Sequence, residues 1–144
     1  MHHMSTTIKS ASLLGINAIE ISVETDAHPG LPKEFIVGLP DTVIKESKNR
    51  IKSAIINSGF KYPAKIYTIN LAPAEIQKEG PYFDVPIALG ILHITKQLKA
   101  DKNAMYVGEL GLSGEIRPIR GVIAICQLAL DLKYTKIILM NLQL

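Results

Sequence analysis

Apolar and polar residues alternate over residues 19–24, with Ile19, Ile21 and Val23 set against Glu20, Ser22 and Glu24. A period of two sends successive side chains to opposite faces, so this stretch predicts a half-buried strand, ended by the turn "HPGLP". "EFIVGLP" reads as the next strand, ending at Gly38. Over residues 42–58 the period changes: Ile44, Ile51 and Ile55 recur at spacings of seven and four, as on a helix with one buried face. Asp41 or Thr42 stands ready to cap its free amides, and Gly59 to close it. "KIYTINL", residues 65–71, is a short β-rich run. Asp84 is expected to N-cap a second helix reaching Leu98, with Pro86 in the first turn, where a missing N–H costs little, and Val85, Leu89 and Leu92 on the inner face. "MYVGELGL" and "EIRPI", joined by Ser113-Gly114, predict a hairpin; "VIAICQLALDL" predicts a buried helix and "KIILM" a last strand. Strands and helices mixed in this order predict helices layered on a sheet, an α/β or α+β domain without internal repeats.

The 144 residues are 47% hydrophobic and 20% charged, which suits one globular domain. A formal net charge of +3 tolerates a nucleic-acid partner without demanding one. Cys126 is the one cysteine and sits in an apolar run, so a structural thiol in a reducing, cytoplasmic setting is expected. "MHHMSTT" lacks the apolar core of a signal peptide, and no apolar run approaches the roughly 20 residues that cross a bilayer, so no membrane partner is expected. His2 and His3 read as a tag remnant before a native start at Met4, leaving residues 5–144 as a single domain. "IILMNLQL" stops without cap or polar tail, and a longer parent protein is expected.

Chemistry is sparse. None of the ten glycines is followed by lysine, so a phosphate-binding P-loop is missing and no cofactor site is expected in this chain. Gly108, Gly111 and Gly114 fit strand ends and a hairpin turn better than a dinucleotide fingerprint. Among the carboxylates Glu75, Glu79, Asp84, Glu109 and Glu115, no spacing fixes a catalytic pair, and salt links or helix caps are the expected roles. His28 and His93 are scattered and lack metal-site spacing, so no metal is expected. One surface invites a polyanion: at about 100° per residue, Lys45, Lys48 and Lys52 share roughly 60° of arc on the first helix, while Arg50 projects elsewhere. They form a candidate nucleic-acid stripe, against the plainer reading of a solvated face helped by Glu46.

"FIVGLPDTVIKESKNRIKSAIINSGFKYPAKIYTINLAPAEIQKEGPYFDVPIALGIL", followed by "GELGLSGEIRPIRGV", closely resembles the N-terminal domain of the ComM/YifB family of magnesium-chelatase-like AAA+ ATPases, over residues 8–132. The resemblance implies a ribosomal protein S5 domain 2-like fold, an α+β arrangement in two layers shared with the proteolytic domain of Lon. It also implies an ATPase domain on the C-terminal side, absent from this chain, which would hold ATP and Mg²⁺. The partners implied are that domain, neighbouring subunits of a homo-oligomer, expected to be a hexamer, and DNA undergoing branch migration during transformation.

Lon-type peptidases carry a serine two residues after the glycine of a similar turn and a lysine after a second glycine-rich turn, the lysine acting as base. Against that pattern "KEGPYFD" puts Tyr82 where the serine would stand, and "PIRGVI" puts Ile123 where the lysine would stand. Isoleucine cannot take a proton, and a phenol without an activating base is a poor nucleophile. The resemblance therefore implies a domain without catalytic residues, with Tyr82 and Ile123 as degenerate dyad positions. Tyr82 and Phe83 then either pack beneath the turn or dock against a neighbour. The competing readings are a divergent Lon-like peptidase and a pure assembly domain.

Overall fold

The computed structural model describes residues 4–78 and 82–138; Glu79, the Gly80-Pro81 turn, and Leu139 and Met140 of the predicted last strand lie outside the described residues. β1 (Met4–Leu14) and β2 (Asn17–His28) pair antiparallel along their whole length, from Met4 opposite Ala27 to Leu14 opposite Asn17. Gly15 and Ile16 make the two-residue turn between them, and Gly15 supplies the positive φ of 65° that such turns use. The alternation at residues 19–24 is the middle of this longer strand. β1 carries no periodic signal of its own, because "MSTTIKSASLL" places small hydroxyl residues on both faces.

β3 (Lys33–Val37) leads through α1 (Asp41–Asn57) to β4 (Ile66–Ala72). β4 runs parallel to β3 and antiparallel to β2, so the sheet order is β1-β2-β4-β3. Parallel neighbours need a crossover, and α1 provides it, burying Ile51, Ala54 and Ile55. Its N-cap is Pro40, with no side-chain cap bond from Asp41 or Thr42. Gly59, at φ 88°, closes it as expected and donates its N–H to the Ile56 carbonyl at 3.1 Å.

α2 (Asp84–Ile94) packs on β1, β2 and α1, and only Leu89 and His93 are half-exposed along its length. A three-residue inner face therefore understates a helix that is central to the domain. Gly90 permits its approach to β2, since a Cβ there would lie 2.4 Å from Thr25 Oγ1. The helix stops at Ile94, short of Leu98: Thr95 Oγ1 donates to the Ile91 carbonyl at 2.7 Å, Lys96 turns left-handed at φ 60°, and the Gln97 N–H returns to the Leu92 carbonyl at 2.9 Å.

β5 (Ala104–Tyr106), β6 (Glu109–Leu110), β7 (Ile116–Arg117), α3 (Val122–Asp131) and β8 (Lys136–Ile138) complete the described chain. The expected hairpin forms only at its tip. β6 pairs with β7, but β5 lies parallel to β8, because Gly108 breaks the strand and spends its backbone groups on residues 82 and 85. Two hydrophobic clusters result. Ile8, Ile21 and Val23 join Ile51, Ile69 and Ile87 in the larger one, between the sheet and α1 and α2. Ala11, on the other face of β1, joins Met105, Val107, Ile125 and Ala129 beneath α3. β5 serves both, with Ala104 and Tyr106 in the first and Met105 in the second. The result is an α+β domain, and no helix among the described residues is long and apolar enough to cross a membrane.

Candidate functional site

The segment entering α2 is the candidate site. Tyr82 and Val85 are clamped to Gly108: the Gly108 N–H donates to the Tyr82 carbonyl at 2.8 Å, and the Val85 N–H donates to the Gly108 carbonyl at 3.0 Å. This fixes two adjacent rings in two cores. Phe83 is buried in the larger cluster, while the half-buried Tyr82 packs against the cluster beneath α3. Both rings are therefore packed, while the turn they are expected to pack beneath lies outside the described residues.

Asp84 is not the cap of α2. The N-cap is Phe83, without a side-chain cap bond, and the Asp84 side chain is 0% exposed. Its carboxylate faces Arg50 of α1, accepting from Nε at 2.7 Å and Nη2 at 3.2 Å, and it also accepts the Leu110 N–H of β6 at 3.1 Å. Arg50 Nη2 donates to Ser47 Oγ at 3.0 Å, and Glu109 and Glu46 approach the same guanidinium at 3.9 and 4.0 Å. One forked cation thus ties α1, α2 and β6 together. Burial pushes the Asp84 carboxyl above its ordinary range, against the pull of Arg50 and the Leu110 N–H. The hydrogen bond that Arg50 donates to Asp84 holds the guanidinium above its own range.

Lys78, the last described residue before position 79, is the residue that sequence reasoning passes over. It is 3% exposed, and its ammonium donates to the Pro73 carbonyl at 2.6 Å and the Ile76 carbonyl at 3.0 Å. Burial lowers its pKa, partly offset by Glu75. The amine is caged by backbone and fastens the loop that leads to Tyr82.

The two dyad positions differ in setting, Tyr82 half-buried and Ile123 exposed. Ile123 lies at the second position of α3 and is 87% exposed, about 200° around the helix from buried Ile125, which shares the cluster with Tyr82. Gly121 sets that orientation: it caps α3 at φ 76°, and a Cβ there would meet Leu13 Cδ2 at 2.5 Å. Glu79 lies outside the described residues, and among the described carboxylates none converge on a reaction centre: Glu115 pairs with Arg117 at 3.8 Å, Glu75 is exposed, and Asp84 and Glu109 both turn to Arg50. His28 lies 3.7 Å from Asp26, His93 Nδ1 accepts the Ala100 N–H at 3.1 Å, and Cys126 is half-buried. Among the described residues no group of three or more His, Cys, Asp or Glu could hold a metal. On α1, Lys45 and Lys52 are exposed and Lys48 is half-buried; the Lys52 ammonium sits 5.6 Å from the centre of the Tyr62 ring.

These features define an α+β domain held by a buried arginine–carboxylate pin, with a packed tyrosine and an exposed isoleucine at the two dyad positions. The chain belongs to the family of subunit ChlI of Mg-chelatase, whose sequence model matches residues 23–142. It is 49% identical over 119 residues to YifB of Escherichia coli K12, covering 81% of this chain and 24% of that protein. It is 44% identical over 118 residues to competence protein ComM of Haemophilus influenzae, covering 81% of this chain and 23% of that one. YifB of Salmonella typhimurium LT2 is 46% identical over 119 residues. The chain therefore spans about a quarter of the length of the curated relatives it matches.

Proposed function

We propose that this chain is a non-catalytic accessory domain, at the N-terminal side of a Mg-chelatase-like AAA+ ATPase that acts on DNA in branch migration, with the ribosomal protein S5 domain 2-like fold. The observation that carries the reading is the pair Tyr82 and Ile123. The phenol-bearing ring is packed against the cluster beneath α3, and the side chain at the base position points to solvent on the far side of that helix. Membership of the Mg-chelatase family supports an ATPase as the parent protein, and the name of its relative ComM, a competence protein, supports DNA as the substrate. In this reading ATP and Mg²⁺ belong to the AAA+ domain, and the present domain works against that domain and neighbouring subunits of a hexamer.

The assembly reading has one observation of its own. An apolar groove of about 360 Å³ lies between α1, α2 and the β6–β7 pair, lined by Ala54, Leu89, Leu92 and Ile116. The test uses the full-length protein with and without residues 5–144, measuring DNA-stimulated ATP turnover, strand exchange on a four-way junction, and mass by light scattering. The proposal expects ATP turnover to survive the deletion and strand exchange to fall with the hexamer intact. Collapse of the hexamer would favour the assembly reading, and ATP or peptide hydrolysis by the isolated domain would overturn the proposal.

A further inference from the structure

The fold gathers lysines that are far apart in sequence. β3 and β4 are parallel, so Lys33 and Lys65 start at the same end of the sheet, and the Lys33 N–H donates to the Lys65 carbonyl at 3.3 Å. α1, the crossover between them, finishes at that end, followed by Lys61. α2 finishes there too: the Gln97 side chain accepts the Lys61 N–H and donates to the Lys61 carbonyl, both at 2.8 Å, which seats Lys96 beside Lys61. Lys96 and Lys99 border one depression with His93, and Lys102 borders the next with the same histidine. His93 Nδ1, by accepting the Ala100 N–H, pins the loop that carries Lys99 and Lys102.

All six lysines are exposed except half-buried Lys65, and among the described residues none lies within ion-pair distance of a carboxylate. The nearby acids are already engaged: Asp101 holds Lys136 at 3.1 Å, and Glu34 accepts the Tyr62 hydroxyl at 2.8 Å. The Lys33 ammonium lies 4.9 Å from the centre of the exposed Phe35 ring, on the same surface.

We infer that this end of the domain, built from Lys33, Lys61, Lys65, Lys96, Lys99 and Lys102, is a docking surface for the sugar–phosphate backbone of nucleic acid. This deepens the DNA reading above and rests on it. The chemistry favours a polymer over a single phosphate group. Lysines are point charges spread over three elements, without arginine forks and without a cradle of backbone amides, so they match a repeating line of charge rather than one bound anion. Recognition should be indifferent to base sequence. Lys52, stacked on Tyr62 next to Lys61, makes the α1 stripe an extension of this surface rather than its centre.

The test is a fluorescence-anisotropy titration of the 144-residue chain with a labelled 30-nucleotide single strand across a salt series. Six contacts predict a slope of log affinity against log salt of about −4, from roughly 0.7 per contact. The variant Lys61→Gln, Lys96→Gln, Lys99→Gln should lose about 2 from that slope, with a circular dichroism spectrum and melting temperature like the parent. The variant Lys45→Gln, Lys48→Gln, Lys52→Gln should lose at most 1. Vesicles of phosphatidylcholine with 30% phosphatidylserine serve as the second polyanion. Equal slopes for both variants, a loss confined to the α1 variant, or capture by vesicles with none by the oligonucleotide would each overturn the inference. Those failures concern this surface only; DNA-stimulated turnover of the full-length protein tests the broader reading separately.

Discussion

Removing the guanidinium from the pin between α1 and α2, as Arg50→Met, strands a carboxylate that is 0% exposed. Asp84 then keeps the Leu110 N–H at 3.1 Å and the Ser47 side chain, having lost two charge-assisted bonds at 2.7 and 3.2 Å. Breaking a buried ion pair from one side costs about 3–5 kcal/mol, because the remaining charge keeps its desolvation penalty and loses its compensation. The reverse change, Asp84→Leu, should cost less, about 1–3 kcal/mol, since Arg50 is 18% exposed and can turn to Glu46 and Glu109, already 4.0 and 3.9 Å away. The double variant should recover most of the loss, as apolar replacements of buried pairs commonly do.

The effect should depend on pH with a definite sign. Burial already raises the Asp84 pKa, and without Arg50 only the Leu110 N–H and the Ser47 side chain pull it down. A carboxyl whose folded pKa lies above its unfolded value favours folding below the unfolded pKa and loses that contribution as pH rises through the folded one. The deficit of Arg50→Met should therefore be full at pH 7 and shrink towards about pH 4, near the unfolded carboxyl value. Urea unfolding followed by circular dichroism at the two pH values measures it. A deficit unchanged by pH, or Asp84→Leu proving as costly as Arg50→Met, would refute this account of the pin.

Three further outcomes follow from packing. Gly90→Ala should cost about 1–3 kcal/mol by pushing α2 off β2, and Thr25→Ala in the same chain should restore part of it in thermal melts, because Thr25 Oγ1 is the atom met and makes no hydrogen bond. Lys78→Met should cost about 1–3 kcal/mol in urea unfolding by leaving the Pro73 and Ile76 carbonyls unpaired, and faster proteolytic cleavage next to residue 78 should accompany it. Ile123→Lys should change stability by less than about 0.5 kcal/mol, whereas Tyr82→Ser should cost about 1–3 kcal/mol; the pair together should gain no peptidase activity towards casein.

What the sequence discloses here is what a local period can carry. Ile44, Ile51 and Ile55 disclose α1, and the alternation of residues 19–24 discloses β2, because one buried face imposes each repeat. β1 escapes since the buried positions Ser10 and Ser12 are small and polar. α2 misleads in two ways. It is buried nearly all round, so no face stands out, and Asp84 reads as a cap because the local rule cannot see a partner 34 residues earlier. Lys78 looks like any surface lysine until the loop folds over it. The candidate DNA surface divides along the same line: the α1 stripe is legible from helical spacing, while the lysines between 33 and 102 become neighbours only through the parallel pairing of β3 with β4 and the Gln97 clamp on Lys61. The degenerate positions Tyr82 and Ile123 are open to alignment with a motif, but the exposure of Ile123, on a helix whose N-cap Gly121 packs against Leu13, involves a contact that lies outside the motif.

The central claim is that this domain carries no hydrolytic centre, and covalent labelling tests it most directly. The chain, and separately the full-length protein, would be incubated with a fluorophosphonate probe at pH 7 to 9 and read by intact mass and peptide mapping. The account predicts no stoichiometric adduct within residues 5–144 at any pH in that range. A single adduct formed by the folded chain, lost on unfolding in urea, and mapping to Tyr82 or to a serine of this domain would contradict it.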